Sequence, residues 1–154
     1  MKNYLLKLVL LFLIISCSDE EFINKHKKVN LEQLKSTQDV FDAGLKLMAM
    51  PNGLHDLEIS DDNQKTLFIS VHGNSSRGYE WIYPLQVINN EINLITFFRW
   101  DDSSCVNPSV KSLDDLIRDK LSKNKNIQKV ILFGHSYGGL LVTSCLLYTS
   151  DAAD

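Results

Sequence analysis

One short segment near the end of the chain constrains the fold more than any other. Residues 128–133 end in the apolar run Val-Ile-Leu-Phe, and Gly134-His135-Ser136-Tyr137-Gly138-Gly139 follows with no gap. The apolar stretch Leu-Leu-Val comes next, at residues 140–142. A short apolar run that ends at glycines is typical of a buried strand, and residues 136–144 fit the start of a helix. The segment therefore predicts a strand, a sharp turn and a helix in immediate succession.

The same alternation extends upstream to residue 66. Strands are predicted at 66–71 and 92–98, and helices at 80–90 and 109–123. Alternating strands and helices call for a parallel sheet with helices packed on its faces, joined by right-handed crossovers. The continuous apolar strands are those that a sheet covered on both faces requires. We therefore expect an α/β domain over residues 66–144.

Residues 31–65 precede this alternation. Leu34, Phe41, Leu45 and Met48 fall at helical spacing and predict a helix over 31–48, and 54–60 predicts a first strand. His55 and His26 lie before the sheet core, so we expect both side chains on the surface.

The turn at residues 134–138 has the pattern Gly-x-Ser-x-Gly. Between a strand and a helix this pattern is a nucleophile elbow, in which the serine sits on a strained turn with its hydroxyl above the sheet. Gly134 and Gly138 lack a Cβ, so strand and helix can approach closely at the bend. Ser136 is therefore the candidate nucleophile, and the alternative interpretation is a glycine-rich turn with a capping serine.

A second motif, His72-Gly73-Asn74-Ser75, ends the predicted strand 66–71. Parallel strands bring their carboxyl ends to one edge of the sheet, where ligands bind. This motif is therefore expected at the same edge as Ser136. The alternative is a tight turn that follows a strand.

Together the two motifs make residues 66–144 resemble the N-terminal half of an α/β-hydrolase of the lipase or esterase type. The resemblance implies a serine hydrolase that cleaves a carboxylic ester or related acyl bond in a small molecule or lipid, without a cofactor. It implies an oxyanion hole formed by the backbone N–H groups of Asn74 and Tyr137. The residues expected to support the two motifs are His72, Gly73, Gly134, His135, Gly138 and Gly139.

The family places its acid and its histidine base after the nucleophile. Residues 137–144 contain no Asp, Glu or His, and His135 within the elbow is not expected to act as the base. The fragment is therefore expected to be inactive by itself. A catalytically dead α/β-hydrolase fold that serves as a surface binding module is the alternative function.

Other features carry weaker predictions. Residues 99–102, Arg-Trp-Asp-Asp, follow the strand 92–98 and either shape a substrate pocket or form a polar loop, which we favour. Tyr79, Trp81 and Tyr83 either line a pocket or pack against the core, which we also favour. Asp114 and Asp115 are expected near a helix start, where they would suit its dipole. No spacing of metal ligands is visible.

The first sixteen residues combine a short basic start with an apolar run, which is typical of a secretory signal peptide. Ile14-Ile15-Ser16-Cys17 resembles a bacterial lipobox, which implies lipidation of Cys17 and a tether over 17–30. The acidic residues 18–21 resemble an export tag for the outer membrane surface. We therefore expect a lipid-anchored protein of the bacterial cell envelope, and an ordinary signal peptide is the alternative.

The last ten residues, 145–154, back-translate without mismatch to a transposon-end adapter used in DNA sequencing. We therefore expect the natural sequence to be legible only to Ser144. The chain has 16 basic and 19 acidic residues and a net charge of −3. This weak acidity argues against a nucleic-acid partner, which requires a basic face. The oligomeric state cannot be inferred from the sequence.

Overall fold

A computed structural model describes residues 39–58 and 61–151, with side-chain surroundings up to residue 147. Six predicted features lie outside these residues: the signal peptide 1–16, lipidation at Cys17, the tether 17–30, the surface position of His26, the first part of the helix 31–48, and the end of the strand 54–60. Within the described residues, the structure has four helices and four strands. In chain order they are α1 (Val40–Met48), β1 (Gly53–Asp56), β2 (Thr66–Val71), α2 (Tyr79–Ile88), β3 (Asn93–Arg99), α3 (Val106–Lys123), β4 (Lys129–Gly134) and α4 (Tyr137–Asp151).

The four strands form one mixed sheet in the order β1-β3-β2-β4. β2 pairs in parallel with both β3 and β4, as the alternation predicts, but β1 pairs antiparallel with β3. The parallel sheet predicted from residue 66 onward is therefore confirmed, and β1, for which no direction was predicted, makes the whole sheet mixed. The connection 57–65 is shorter than the dozen or so residues that a parallel crossover needs.

Helices cover both faces of the sheet, and each face has its own apolar core. α3 and α4 pack on one face through a cluster that includes Leu67, Ile69, Val71, Leu113 and Leu141. α1 and α2 pack on the other face through a cluster that includes Leu47, Trp81, Leu85, Ile95 and Phe97. The predicted three-layer α/β arrangement is thus confirmed for the described residues.

Two local predictions are wrong. His55 was expected on the surface, but it is only 1% exposed, and its Nε2 lies 2.6 Å from Pro51 O. Strand alternation explains this burial, because His55 pairs with the fully buried Phe97. Asp114 and Asp115 do not lie near a helix start, since α3 begins at Val106 and its first turn has no acidic residue. Asp114 is instead buried and accepts a hydrogen bond from Arg118 Nε at 2.9 Å.

The order of the strands determines where the connections between them diverge. The chain leaves β2 through α2 to reach β3 on one side, and it leaves β3 through α3 to reach β4 on the other side. α2 and α3 lie on opposite faces. α2, which follows β2, and α4, which follows the neighbouring strand β4, also lie on opposite faces. The connections therefore diverge at the carboxyl ends of β2 and β4, and in open α/β sheets such a point is where ligands bind. No helix in the described ranges is long and apolar enough to cross a membrane.

Candidate active site

The turn after β4 places Ser136 at the carboxyl edge of the sheet. Only His135 and Ser136 separate the end of β4 from the start of α4. Ser136 has φ 53°, in the left-handed region, which costs a non-glycine residue about 1–2 kcal/mol. Its side chain is exposed, and its hydroxyl has no hydrogen-bond partner among the described residues. The geometry is that of a strained turn with a presented hydroxyl, as the motif predicts.

Glycine is required at two positions of this turn. A Cβ on Gly138 would lie 2.4 Å from Val71 O and 2.5 Å from His72 O, and a Cβ on Gly134 would lie 2.4 Å from Gly138 O. These contacts are with backbone atoms, which cannot move aside without moving β2 or α4. Gly139 differs, because a Cβ there would meet only Gly134 O, at the ordinary contact distance of 3.6 Å.

The loop after β2 lies directly against the turn after β4. The parallel register pairs Val71 with Gly134, and His135 N donates to Val71 O at 3.0 Å. A Cβ on Gly73 would lie 3.0 Å from Ser136 Cβ and 2.9 Å from His135 O. The structure thus brings the two sequence motifs into contact, with a glycine where they meet.

His72 is buried and makes contacts through both ring nitrogens. Nδ1 lies 2.8 Å from Gly73 O, and Nε2 lies 2.7 Å from Arg99 Nη1 and 3.2 Å from Trp100 N. Burial, together with the charge of Arg99, lowers the pKa of His72 below its ordinary value of 6.5. The ring is therefore neutral near pH 7 and fully engaged with neighbouring groups. This is the environment of a structural residue of the loop.

The two backbone groups predicted to bind an oxyanion are both available. Neither Asn74 N–H nor Tyr137 N–H has an acceptor among the described residues. The neighbouring amides are occupied, because Ser75 N donates to Asp102 Oδ2 and Gly138 N donates to His135 O at 2.9 Å. Tyr137 is also the first residue of α4, where the helix dipole favours negative charge.

The segment 99–102, which we call the β3 tail, makes buried contacts with the site that the sequence did not predict. Trp100 is fully buried, stacks on His72 and Tyr137 with ring centroids 5.5 and 5.8 Å away, and donates from Nε1 to His72 O at 2.9 Å. The segment is thus not a free polar loop. Its position after a parallel strand was the signal that it would reach this edge.

The three aromatic residues near the start of α2 have different surroundings. Trp81 is buried and contacts Phe97 and Phe133, so it packs in the core as expected. Tyr79 contacts Phe41 and is 43% exposed. Tyr83 is 74% exposed, so the packing interpretation is wrong for this residue.

The described residues do not assemble a complete triad. No histidine ring is hydrogen-bonded to the Ser136 hydroxyl: His55 and His72 bond to other groups, and His135 is exposed beside the serine. Burial raises the pKa of the Cys145 thiol to about 11, so it is not a nucleophile at neutral pH. Among the same residues, no group of His, Cys, Asp or Glu could hold a metal ion.

Comparison of the chain with protein-family models, with curated proteins and with solved structures gives no match. We therefore infer the chemistry of this site from its geometry and its sequence motifs.

Proposed function

We propose that this chain supplies the nucleophile and the oxyanion-binding groups of a serine hydrolase with an α/β-hydrolase fold. The substrate class is a carboxylic ester or a related acyl compound, either a small molecule or a lipid. The observation that carries the proposal is Ser136, held at φ 53° between β4 and α4 and in contact with the loop that follows β2. Strained serines in this strand-to-helix context are nucleophiles of acyl transfer.

The chemistry follows from the groups around Ser136. Its Oγ attacks the acyl carbon, and the carbonyl oxygen becomes an oxyanion that the free N–H groups of Asn74 and Tyr137 stabilise. The attack requires a histidine, oriented by an acid, that takes the Oγ proton and gives it to the leaving alcohol as the oxyanion collapses to an acyl-enzyme. Water then attacks the acyl-enzyme, which releases the carboxylic acid and restores Ser136. Neither partner is present among the described residues, so we expect residues 17–144 alone to have negligible activity.

The test of the nucleophile is covalent labelling of the protein encoded at the source gene, including whatever follows the codon for Ser144. A fluorophosphonate probe should label the wild type and leave Ser136→Ala unlabelled. Ser75→Ala is the matched control, because Ser75 is also exposed and also has a positive φ, of 55°. Equal labelling of wild type and Ser136→Ala would exclude Ser136 as the nucleophile.

A binding module on the same fold is the second candidate. The observation that favours it is the absence, within the described residues, of a hydrogen bond between Ser136 and a histidine. Resequencing the source gene beyond the codon for Ser144 separates the two functions. A later Asp or Glu and then a His would support the hydrolase, and a frame without them would support the binding module.

We further propose that the protein is anchored in the cell envelope by lipid on Cys17, with display at the outer membrane. The support is the apolar run before Ser16-Cys17 and the acidic residues after it. Cells grown with labelled palmitate should incorporate label into the wild type and not into Cys17→Ser. Equal incorporation into both proteins would contradict lipidation at this residue.

A further inference from the structure

The β3 tail makes a set of contacts with the loop after β2 that local backbone structure does not require. Arg99 Nη1 and Trp100 N both contact His72 Nε2, and Asp102 Oδ2 accepts from Ser75 N. These contacts are with residues on either side of Asn74 in the sequence, and the Asn74 N–H itself has no acceptor among the described residues. The tail therefore contacts the groups on either side of the free amide.

The contacts of His72 determine its tautomer. Nε2 is approached by the Arg99 guanidinium at 2.7 Å and by the Trp100 N–H at 3.2 Å. Both groups can only donate, so Nε2 must be the unprotonated acceptor, and in a neutral ring the proton is then on Nδ1. Nδ1 lies 2.8 Å from Gly73 O, which can only accept. The two sides of the ring require the same tautomer.

This tautomer fixes the orientation of one peptide group. The Nδ1–H of His72 holds the carbonyl of Gly73, and the peptide that joins Gly73 to Asn74 is trans. In a trans peptide the C=O and N–H point in opposite directions. The Asn74 N–H is therefore turned away from His72 and cannot rotate without breaking the bond to Gly73 O.

A second contact holds the next peptide. Ser75 N donates to Asp102 Oδ2, and Ser75 has φ 55° within a turn at residues 74–75. Asn74 thus lies between a carbonyl held by His72 and an amide held by Asp102.

Arg99 is itself held at three points. Besides His72 Nε2, it donates from Nε to Met48 O at 3.0 Å and from Nη1 to Trp100 O at 2.7 Å. Its guanidinium is thus fixed by the carboxyl end of α1 and by the backbone of the β3 tail. An arginine held in this way is a rigid donor to the ring.

We propose that the β3 tail is a positioning device for the oxyanion loop, in which Arg99 and Trp100 hold His72 in the Nδ1–H tautomer and Asp102 holds the amide of Ser75. The Asn74 N–H is consequently kept free and in one orientation. The catalytic significance of this device depends on the hydrolase function proposed above, whereas the tautomer does not. None of the three tail residues touches the reacting atoms in this account.

The tautomer can be measured in the chain without any reaction. Nitrogen-15 NMR of the His72 ring at pH 7 should show a protonated Nδ1 and an unprotonated Nε2. Arg99→Met should shift the Nε2 resonance, because it removes the closer of the two donors. Arg118→Met is the control, since Arg118 is an exposed arginine paired with Asp114 on α3 and should leave the ring unchanged. A protonated Nε2 in the wild type would overturn the proposal.

The effect on the reaction is measured in the active protein from the source gene. His72→Asn keeps an amide donor near the position of Nδ1, whereas His72→Gln keeps an acceptor near the position of Nε2 and loses that donor. His72→Gln should lower kcat on the order of 100-fold with KM little changed, as loss of an oxyanion donor does. His72→Asn should have a kcat much closer to that of the wild type. Arg99→Met should also lower kcat, and Arg118→Met should not.

Two results distinguish the possible failures. A wild-type protein that resists the fluorophosphonate probe would contradict the hydrolase function, and the ring nitrogens would still show whether the device exists. A wild type that reacts normally, with His72→Gln and Arg99→Met equally active, would retain the hydrolase function and overturn the positioning role.

Discussion

The loop after β2 and the loop after β4 meet at Gly73 and Ser136, but different interactions hold them in place. The first loop buries its histidine and fixes it with contacts from the β3 tail. The second loop exposes His135 and Ser136, and its shape comes from glycines and from a short-range turn. The comparison indicates that the first loop orients backbone groups and the second presents a reactive side chain.

The largest expected effect concerns the glycines of the second loop. Gly138→Ala places a Cβ 2.4 Å from Val71 O, and we expect it to lower the free energy of unfolding by roughly 3 kcal/mol. Gly139→Ala is the matched control in the same helical turn, where alanine should be neutral or stabilising by up to about 1 kcal/mol. Urea denaturation measures both, and similar values for the two variants would contradict the close approach of α4 to β2.

Gly73→Ala tests the contact between the loops. Its Cβ would lie 3.0 Å from Ser136 Cβ, so the loops must separate by a few tenths of an ångström. We expect the rate of fluorophosphonate labelling to fall by up to about 100-fold, because small displacements of reacting groups have effects of this size. Unchanged labelling in a variant that still folds would show that the first loop does not act on Ser136.

The strain in the two loops can be compared directly. Ser136 and Ser75 both have a positive φ, so replacing either with glycine should stabilise the fold by about 1 kcal/mol. Ser136→Ala keeps the backbone strain and should leave stability nearly unchanged. If Ser136→Gly and Ser136→Ala gave equal free energies of unfolding, the strained turn would be contradicted.

The smallest expected effect is a dependence of stability on pH that arises from His72. Its pKa is lowered in the fold by burial and by Arg99, partly opposed by its hydrogen bond to Gly73 O and by Asp102. Below about pH 6.5 the unfolded chain binds a proton at His72 that the folded chain does not, so the free energy of unfolding falls as the pH is lowered. His72→Asn should show a shallower fall in urea denaturation at pH 7, 6 and 5, and an equal slope would contradict a neutral, buried ring.

The secondary structure could be predicted where the hydrophobic periodicity and the length of a segment together distinguish a strand from a helix. The limits of β2 match the predicted strand 66–71, and the other elements of the alternating region are displaced at their ends by up to three residues. The direction of β1 was not predicted, because hydrophobic periodicity does not show which strand a segment pairs with. The burial of His55 was missed for a related reason, since it depends on pairing with Phe97, which lies far along the chain.

The site was predictable where its chemistry is local. Gly134, Ser136 and Gly138 act through neighbours in sequence and through backbone geometry, so the motif alone indicates their positions. The contacts of the β3 tail join residues about 27 positions apart, and their donors and acceptors are known only once the strands are paired. Gly139 was grouped with the required glycines, although only the folded structure shows that a Cβ fits there.

The most direct test of the account is fluorophosphonate labelling of the active protein from the source gene, with Ser136→Ala and Ser75→Ala measured beside the wild type. The wild type and Ser75→Ala should be labelled and Ser136→Ala should not, while all three unfold at similar urea concentrations. Labelling of folded Ser136→Ala at the wild-type rate would contradict the central claim that the turn after β4 presents the nucleophile.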